Sequence, residues 1–296
     1  MQLFKANKHI RDNILFLIAT AIVYLNSPTI VPAQQNPYNP INFTQALILS
    51  RGSLIPASPQ SVYLNHEETC KLLQQESGWD SSDCPFIENI VIQQIPGIDS
   101  TIIMKPNSDG FVSFEDWTSE TAKEAIDEIW ESFVEGSLAQ TKKIGVEIKP
   151  IKWIITPYLD KEKSYLYYAF LLQWGQEQII NVKASKFDRL GYVEFQFVPE
   201  KVTFSEAELT TLVEQTLATY TPSQHQSYDS FTTGDKVASV GALGVLATLV
   251  GVKYGKAAAS GALALLLVFA KKLWFLVFLP FIWIGRKLFH KKSTTD

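Results

Sequence analysis

Four apolar-rich runs dominate the second half of the chain: Glu147 to Tyr158, Ser164 to Trp174, Gln178 to Phe187 and Gly191 to Val198. Each is rich in Ile, Val, Tyr, Phe and Trp, and polar or turn-forming residues (Asp160-Lys161, Gly175, Asp188-Arg189) separate them, which predicts four consecutive β-strands. Connections this short make neighbouring strands antiparallel. Shorter runs of the same character stand upstream at Val62 to Leu64, Ile87 to Gln94, Thr101 to Lys105 and Phe111 to Phe114, the last entered through the turn Asn107-Ser108-Asp109-Gly110. The aromatic residues Tyr165, Tyr167, Tyr168, Phe170 and Trp174 are expected in the core rather than along a ligand cleft.

Elsewhere the spacing is helical. From Ser119 to Lys142, Ile126, Ile129, Trp130, Phe133 and Val134 recur at helical intervals, while Glu120, Glu124, Asp127, Glu128, Glu131 and Glu135 cover the opposite side as a solvated acidic face. Ser205 and Glu208 make a capping box, with Phe204 and Leu209 placed for a hydrophobic staple, at the start of a helix that buries Leu209, Leu212, Val213 and Leu217. Asn65 and Glu68 open a shorter helix that carries Cys70. These elements predict an α+β domain over residues 61–220, mostly antiparallel sheet with flanking helices.

The two ends of the chain follow another pattern. Lys5, Lys8 and Arg11 precede an apolar run from Ile14 to Leu25, and Val31 and Ala33 offer small residues for cleavage, the build of a secretory signal over residues 1–33. The alternative is an uncleaved N-terminal anchor; in either case Gln34 onward is exported. Residues 34–60 hold Pro37, Pro40, Pro56 and Pro59 and predict an extended lead-in, with the short stretch Phe43 to Leu49 a strand or a helical turn within it, and residues 221–235, almost without an apolar run, predict a tether. Val237 to Val252 and Ala257 to Gly285 are apolar enough for hydrocarbon, which predicts a C-terminal α-helical membrane anchor over residues 236–292. Ala238, Gly241, Gly244, Thr248, Gly251 and Gly255 recur every three or four residues, so on a helix they line a face smooth enough for a second membrane helix to approach closely. That favours a hairpin turning near Lys253 to Lys256. Lys271 and Lys272 divide the second stretch and leave two or three crossings open: three put Lys253, Lys256 and the basic C-terminus on one side, as the positive-inside bias asks, and two do not.

Charge sharpens this division. The net charge of −4 conceals a part, residues 34–235, with 14 Lys/Arg against 28 Asp/Glu, and a tail, residues 236–296, with 9 basic residues against 1 acidic. An acidic domain repels nucleic acid and anionic headgroups, so the expected partners are the lipid bilayer, through the tail, and another envelope or integral membrane protein. Cys70 and Cys84, the 2 cysteines of the chain, both stand in the exported part, where a disulfide is the natural pairing. Closing a loop of about 15 residues contributes about 3 kcal/mol in the chain-entropy model. Two cysteines alone make a poor zinc site. His66 and His225, the histidines of residues 34–235, lack the company a catalytic triad or metal site demands. An EF-hand alignment of Asn107, Asp109, Gly110 and Asp116 puts Lys105 at the first ligand position, where an ammonium cannot ligate a cation. No GxSxG, HExxH, P-loop or GxGxxG string occurs, and no cofactor is expected. A binding or assembly module is the favoured reading; an envelope hydrolase using a carboxylate pair, which needs no local motif, is the alternative.

The junction Gly234-Asp235-Lys236-Val237-Ala238, and the later run Leu265-Leu266-Leu267-Val268-Phe269-Ala270-Lys271-Lys272-Leu273-Trp274, resemble the bacterial family of membrane-anchored proteins known as domain of unknown function 2167. Ser61-Val62-Tyr63-Leu64 followed by Glu68-Thr69 and Leu72-Leu73, and later Tyr192-Val193-Glu194-Phe195, resemble the opening and closing elements of its exported part. The likeness covers nearly everything after residue 60. It implies a signal sequence, a domain on the extracytoplasmic side and an anchor in the bacterial cytoplasmic (inner) membrane; no activity comes with it. At the level of fold alone, the strand-rich half with flanking helices is similar to periplasmic folds of the PsbP/Mog1 type.

Overall fold

The computed structural model describes residues 38–77, 81–95, 98–199, 203–252 and 254. The expected signal segment, the apolar stretch from Ala257 and Gly255 lie outside them. In chain order the elements are β1 (Ile41–Asn42), β2 (Leu47–Leu49), β3 (Gly52–Leu54), β4 (Val62–Leu64), α1 (His66–Ser77), β5 (Asn89–Ile95) and β6 (Ile98–Asn107). Then follow α2 (Ser119–Ile144), β7 (Ile148–Asp160), β8 (Tyr165–Trp174), β9 (Glu177–Asp188), β10 (Gly191–Pro199), α3 (Glu206–Thr219), β11 (Tyr220–Pro222) and α4 (Ala242–Val250).

Eight strands form one antiparallel sheet in the order β1-β4-β5-β6-β10-β9-β8-β7, and β11-β3-β2 form a second, small one. Strand period sorts the side chains to two faces. On β8, Leu166, Tyr168, Phe170, Leu172 and Trp174 point to a core shared with α2 and α4. Tyr167 and Ala169, between them, point to a core shared with α3 and the small sheet. The α+β class, the four antiparallel strands and the core placement of Tyr167, Tyr168, Phe170 and Trp174 therefore match expectation, while Tyr165 is only partly buried. β7, at the sheet edge, is broken by register shifts and carries Lys149, Pro150, Lys152 and Pro157, features that discourage pairing with another chain.

Local signals set the helix ends. Ser205 accepts from the Glu208 backbone N–H while the Glu208 carboxylate returns to the Ser205 N–H, completing the capping box of α3. Thr118 and Thr121 do the same for α2, which ends at Gly145 in the left-handed region. Ile126, Ile129 and Phe133 of α2 are buried, and its acidic residues are exposed as expected.

Four expectations need correction. The lead-in is folded: it supplies β1, β2 and β3, and Leu54 is 1 % exposed because it packs beneath α3. The tether is folded too. β11 pairs with β3, and Tyr228 and Phe231 stack on Phe111 at 4.6 and 4.0 Å, so aromatic contact holds a segment whose polar composition suggested slack. Phe111 makes a parallel bridge to Val237 instead of opening a strand over Phe111 to Phe114.

The fourth correction concerns Val237 to Val252, expected as the first arm of a membrane hairpin. Only Ala242–Val250 is helical, and Gly251 (φ 89°) ends the helix in the left-handed region. Seven of its residues, from Ala242 to Val250, are buried in the core on the α2 side of the sheet. Apolar density is the same whether the solvent is lipid or a protein core, and the sheet offers a core. Among the described residues no helix is long and apolar enough to cross a membrane.

Candidate functional site

α4 is almost wholly apolar, yet charge holds both of its ends. At the N-terminus the Asp116 carboxylate accepts from the backbone N–H of Ala242 (3.0 Å) and of Leu243 (3.1 Å). At the C-terminus Lys183 Nζ donates to the carbonyl of Leu249 (2.9 Å). A helix leaves unpaired N–H groups and positive charge at its start and unpaired carbonyls and negative charge at its end, and these two partners match both. Gly241, the residue before the helix, lies so close to Asp116 that a Cβ there would overlap the carboxylate. Burial raises the Asp116 pKa from 3.8, and the two N–H donors oppose that rise.

Lys183 also belongs to a buried ion cluster beneath α4. Register places Glu194 of β10 beside Lys105 of β6, and Gln196 beside Lys183 of β9. Glu194 Oε2 stands 3.1 Å from Lys105 Nζ and Oε1 3.3 Å from Lys183 Nζ, with Lys183 only 2 % exposed. Burial would raise the Glu194 pKa, but the two ammonium groups outweigh it and hold the carboxyl below 4.5. Burial lowers the Lys183 pKa from 10.5, and Glu194 opposes that shift. Tyr168, opposite Lys183 on β8, has its phenol pushed well up, first by burial and then by the charge of Glu194. Among the described residues, the Tyr168 hydroxyl, Ser185 Oγ and Gln196 Oε1, all on this face, have no hydrogen-bond partner.

A carboxylate fixed as an anion between two cations cannot act as a general acid. The cluster instead fixes a position: an apolar helix could slide on an apolar sheet, but a single ammonium aimed at one carbonyl sets where α4 stops. The sequence signal for it was a Lys and a Glu inside strands that are apolar on both sides.

A second set of contacts leads the chain into α4. Arg189 Nε and Nη2 donate to the two carboxylate oxygens of Asp235 (2.8 and 2.6 Å), and this hydrogen bonding, with that from Thr232, holds the Asp235 pKa at about 2. Gly110 (φ 118°) lies where a Cβ would come within 2.8 Å of the Lys236 and Ala238 backbone, so the Phe111 to Ala238 pairing requires glycine. The junction Gly234 to Ala238 is thus tied to the domain through Asp235 and through the backbone of Lys236 and Ala238, while Val237 stays exposed. Deeper in the domain, Arg51 pairs with Asp188 and donates to the Asn107 carbonyl, tying the former lead-in to the β9–β10 hairpin.

The described small residues expected to line a membrane-helix face have tasks within the folded domain. Ala238 N–H donates to Phe111, Gly241 seats Asp116, and a Cβ on Gly244 would meet Val240 at 2.5 Å. Thr248 Oγ1 bonds the Gly244 carbonyl, and Gly251 turns the chain out of the helix. Cys70 on α1 and Cys84 in the 3-10 turn Ser81–Phe86 are both thiols, and Gln74, one turn after Cys70 on α1, donates to Cys84 Sγ at 3.3 Å. Among the described residues no three His, Cys, Asp or Glu side chains converge as a metal site. A cleft of about 360 Å³ at the β7 edge is lined by Trp153, Ile180 and Phe204, and not by the β8 aromatics Tyr165, Tyr167, Tyr168, Phe170 and Trp174.

No curated protein and no solved structure matches the chain, so nothing carries the likeness to PsbP/Mog1-type folds further. A family model does match: residues 45–282 fit the family described as protein of unknown function (DUF2167), and the chain belongs to that family.

Proposed function

We propose that this is a membrane-anchored protein of the bacterial cell envelope whose acidic domain acts outside the cytoplasmic membrane as a binding or assembly module. The observation that carries the reading is the seat of α4: an apolar helix gripped at both ends by Asp116 and Lys183, immediately before the apolar stretch Ala257 to Gly285. A tail that begins inside the core leaves only a short link before that stretch, which limits how the domain can present itself to its surroundings. That suits docking against a neighbouring envelope protein better than free search on a tether. The stretch from Ala257 supplies the anchor, its composition being that of a membrane span interrupted at Lys271-Lys272. The hydrolase alternative gains less support, because the buried carboxylates Glu194 and Asp188 are each paired with cations.

The test is crosslinking in intact cells followed by identification of the captured protein. One recurrent integral-membrane or envelope partner, lost when the domain is deleted, supports the module. A protein that stays monomeric in several mild detergents and captures nothing sinks it.

A further inference from the structure

The pair Cys70 and Cys84 carries an inference beyond this reading. Cys70 faces outward on α1, half-exposed, and Cys84 is buried in the following 3-10 turn. Gln74 Nε2, one turn after Cys70, donates to Cys84 Sγ at 3.3 Å, which holds the second sulfur against the first helix. His66, one turn before Cys70, completes the group. Its Nδ1 lies 2.9 Å from the Ile87 carbonyl, and a carbonyl only accepts, so in the neutral ring Nδ1 carries the proton. Nε2 is then the unprotonated nitrogen, and it stands 3.9 Å from Cys70 Sγ. A base, a half-exposed thiol and a buried second thiol are therefore ordered along one helix and the turn packed on it.

We propose that these residues form a disulfide-exchange site, in which Cys70 is the entering thiol, Cys84 the resolving thiol and His66 the base. The Cys70 thiol gives its proton to His66 Nε2, and the thiolate attacks one sulfur of a small-molecule disulfide. That breaks the incoming S–S bond, releases one thiolate and leaves a mixed disulfide on Cys70. Cys84, on losing its own proton, attacks the Cys70 sulfur and expels the second thiolate. The two cysteines are oxidised by two electrons and the incoming disulfide is reduced to two thiols, so no other oxidant is needed. The product pins α1 to the Ser81–Phe86 turn. It adds to the ties α1 already has, the buried side chains Thr69 and Leu73 and the hydrogen bonds of Thr69 and His66 to Leu64, Ile90 and Ile87.

The experiment uses the full chain in detergent, reduced, exposed to oxidised glutathione, quenched in acid and unfolded for alkylation with a heavy maleimide. Two thiols should become none, without a dimer on a non-reducing gel. Cys84→Ser should trap glutathione on Cys70, and His66→Gln should slow the first step by about tenfold or more. Thiols that both remain titratable, or two glutathiones on one chain, overturn the site. A normal rate in His66→Gln overturns the role of His66. The inference draws its oxidant in the cell from the exported reading, and alkylation of acid-quenched cells separates the two. A pair that bridges in the tube and is fully reduced in the cell counts against export and leaves the site standing.

Discussion

Glu194 is an acid that its apolar surroundings would neutralise, and Lys105 and Lys183 reverse that outcome. Gln at this position keeps the shape and leaves two ammonium groups facing each other under α4. Removing one partner from a buried ion pair costs about 3–5 kcal/mol, so Glu194→Gln is expected to lower stability by that order in urea unfolding. Replacing all three residues by Met removes the uncompensated charge and should recover most of the loss, which the same unfolding curves check. The carboxyl also sets an acid limit. Its folded pKa lies below 4.5, so its contribution is complete above that value and is lost as pH falls through the folded one. Between about pH 5 and pH 2, stability should fall less steeply in Glu194→Gln than in the parent chain. In the sequence, Tyr192-Val193-Glu194-Phe195-Gln196-Phe197 already shows a charge with no solvated face to occupy. What the sequence does not show is its partner, because Lys105 meets Glu194 only through the pairing of β6 with β10.

At the scale of elements, the strands β7 to β10 and the helices α2 and α3 were legible because their period, caps and turn residues all agree. How residues 41–54 and 221–252 join the fold was not legible, for a shared reason: their structure is imposed from outside. Arg51, Tyr228 and Asp235 are placed by partners distant in the chain, Asp188, Phe111 and Arg189. Nor does hydropathy tell a helix that enters lipid from one that covers a sheet. α4 provides the discriminating prediction. A chain ending at Tyr254 should unfold cooperatively, whereas one ending at Asp235 uncovers Leu166, Tyr168 and Phe170 and should lose its sharp thermal transition. If α4 belonged to the membrane instead, the two chains would melt alike. Within the longer chain, Leu246→Ala is expected to cost about 2–5 kcal/mol by leaving a cavity. Asp116→Ala should cost about 1–2 kcal/mol by uncapping the helix, seen as a lower midpoint in the same melts.

For the whole molecule the question is where the acidic domain stands relative to lipid. Between the end of α4 and Ala257 the chain has only the segment Gly251 to Lys256, which even fully extended reaches about 20 Å. If the membrane anchor begins at Ala257, the domain lies against the headgroups, and its negative charge keeps an anionic surface from adsorbing it flat. The chain should then resist alkaline carbonate extraction from vesicles, and removal of everything after Tyr254 should release a soluble, folded domain. Protease added to spheroplasts should cleave within the domain while leaving cytoplasmic markers intact. The short link makes a further demand: inserting a flexible segment after Val252 should leave carbonate resistance and thermal stability unchanged. It should, however, weaken in-cell crosslinking to the partner, since a domain free to turn no longer presents a fixed surface. Crosslinking that survives a long insertion would mean that the domain finds its partner without help from the short link, and the seat of α4 would then be a matter of stability alone.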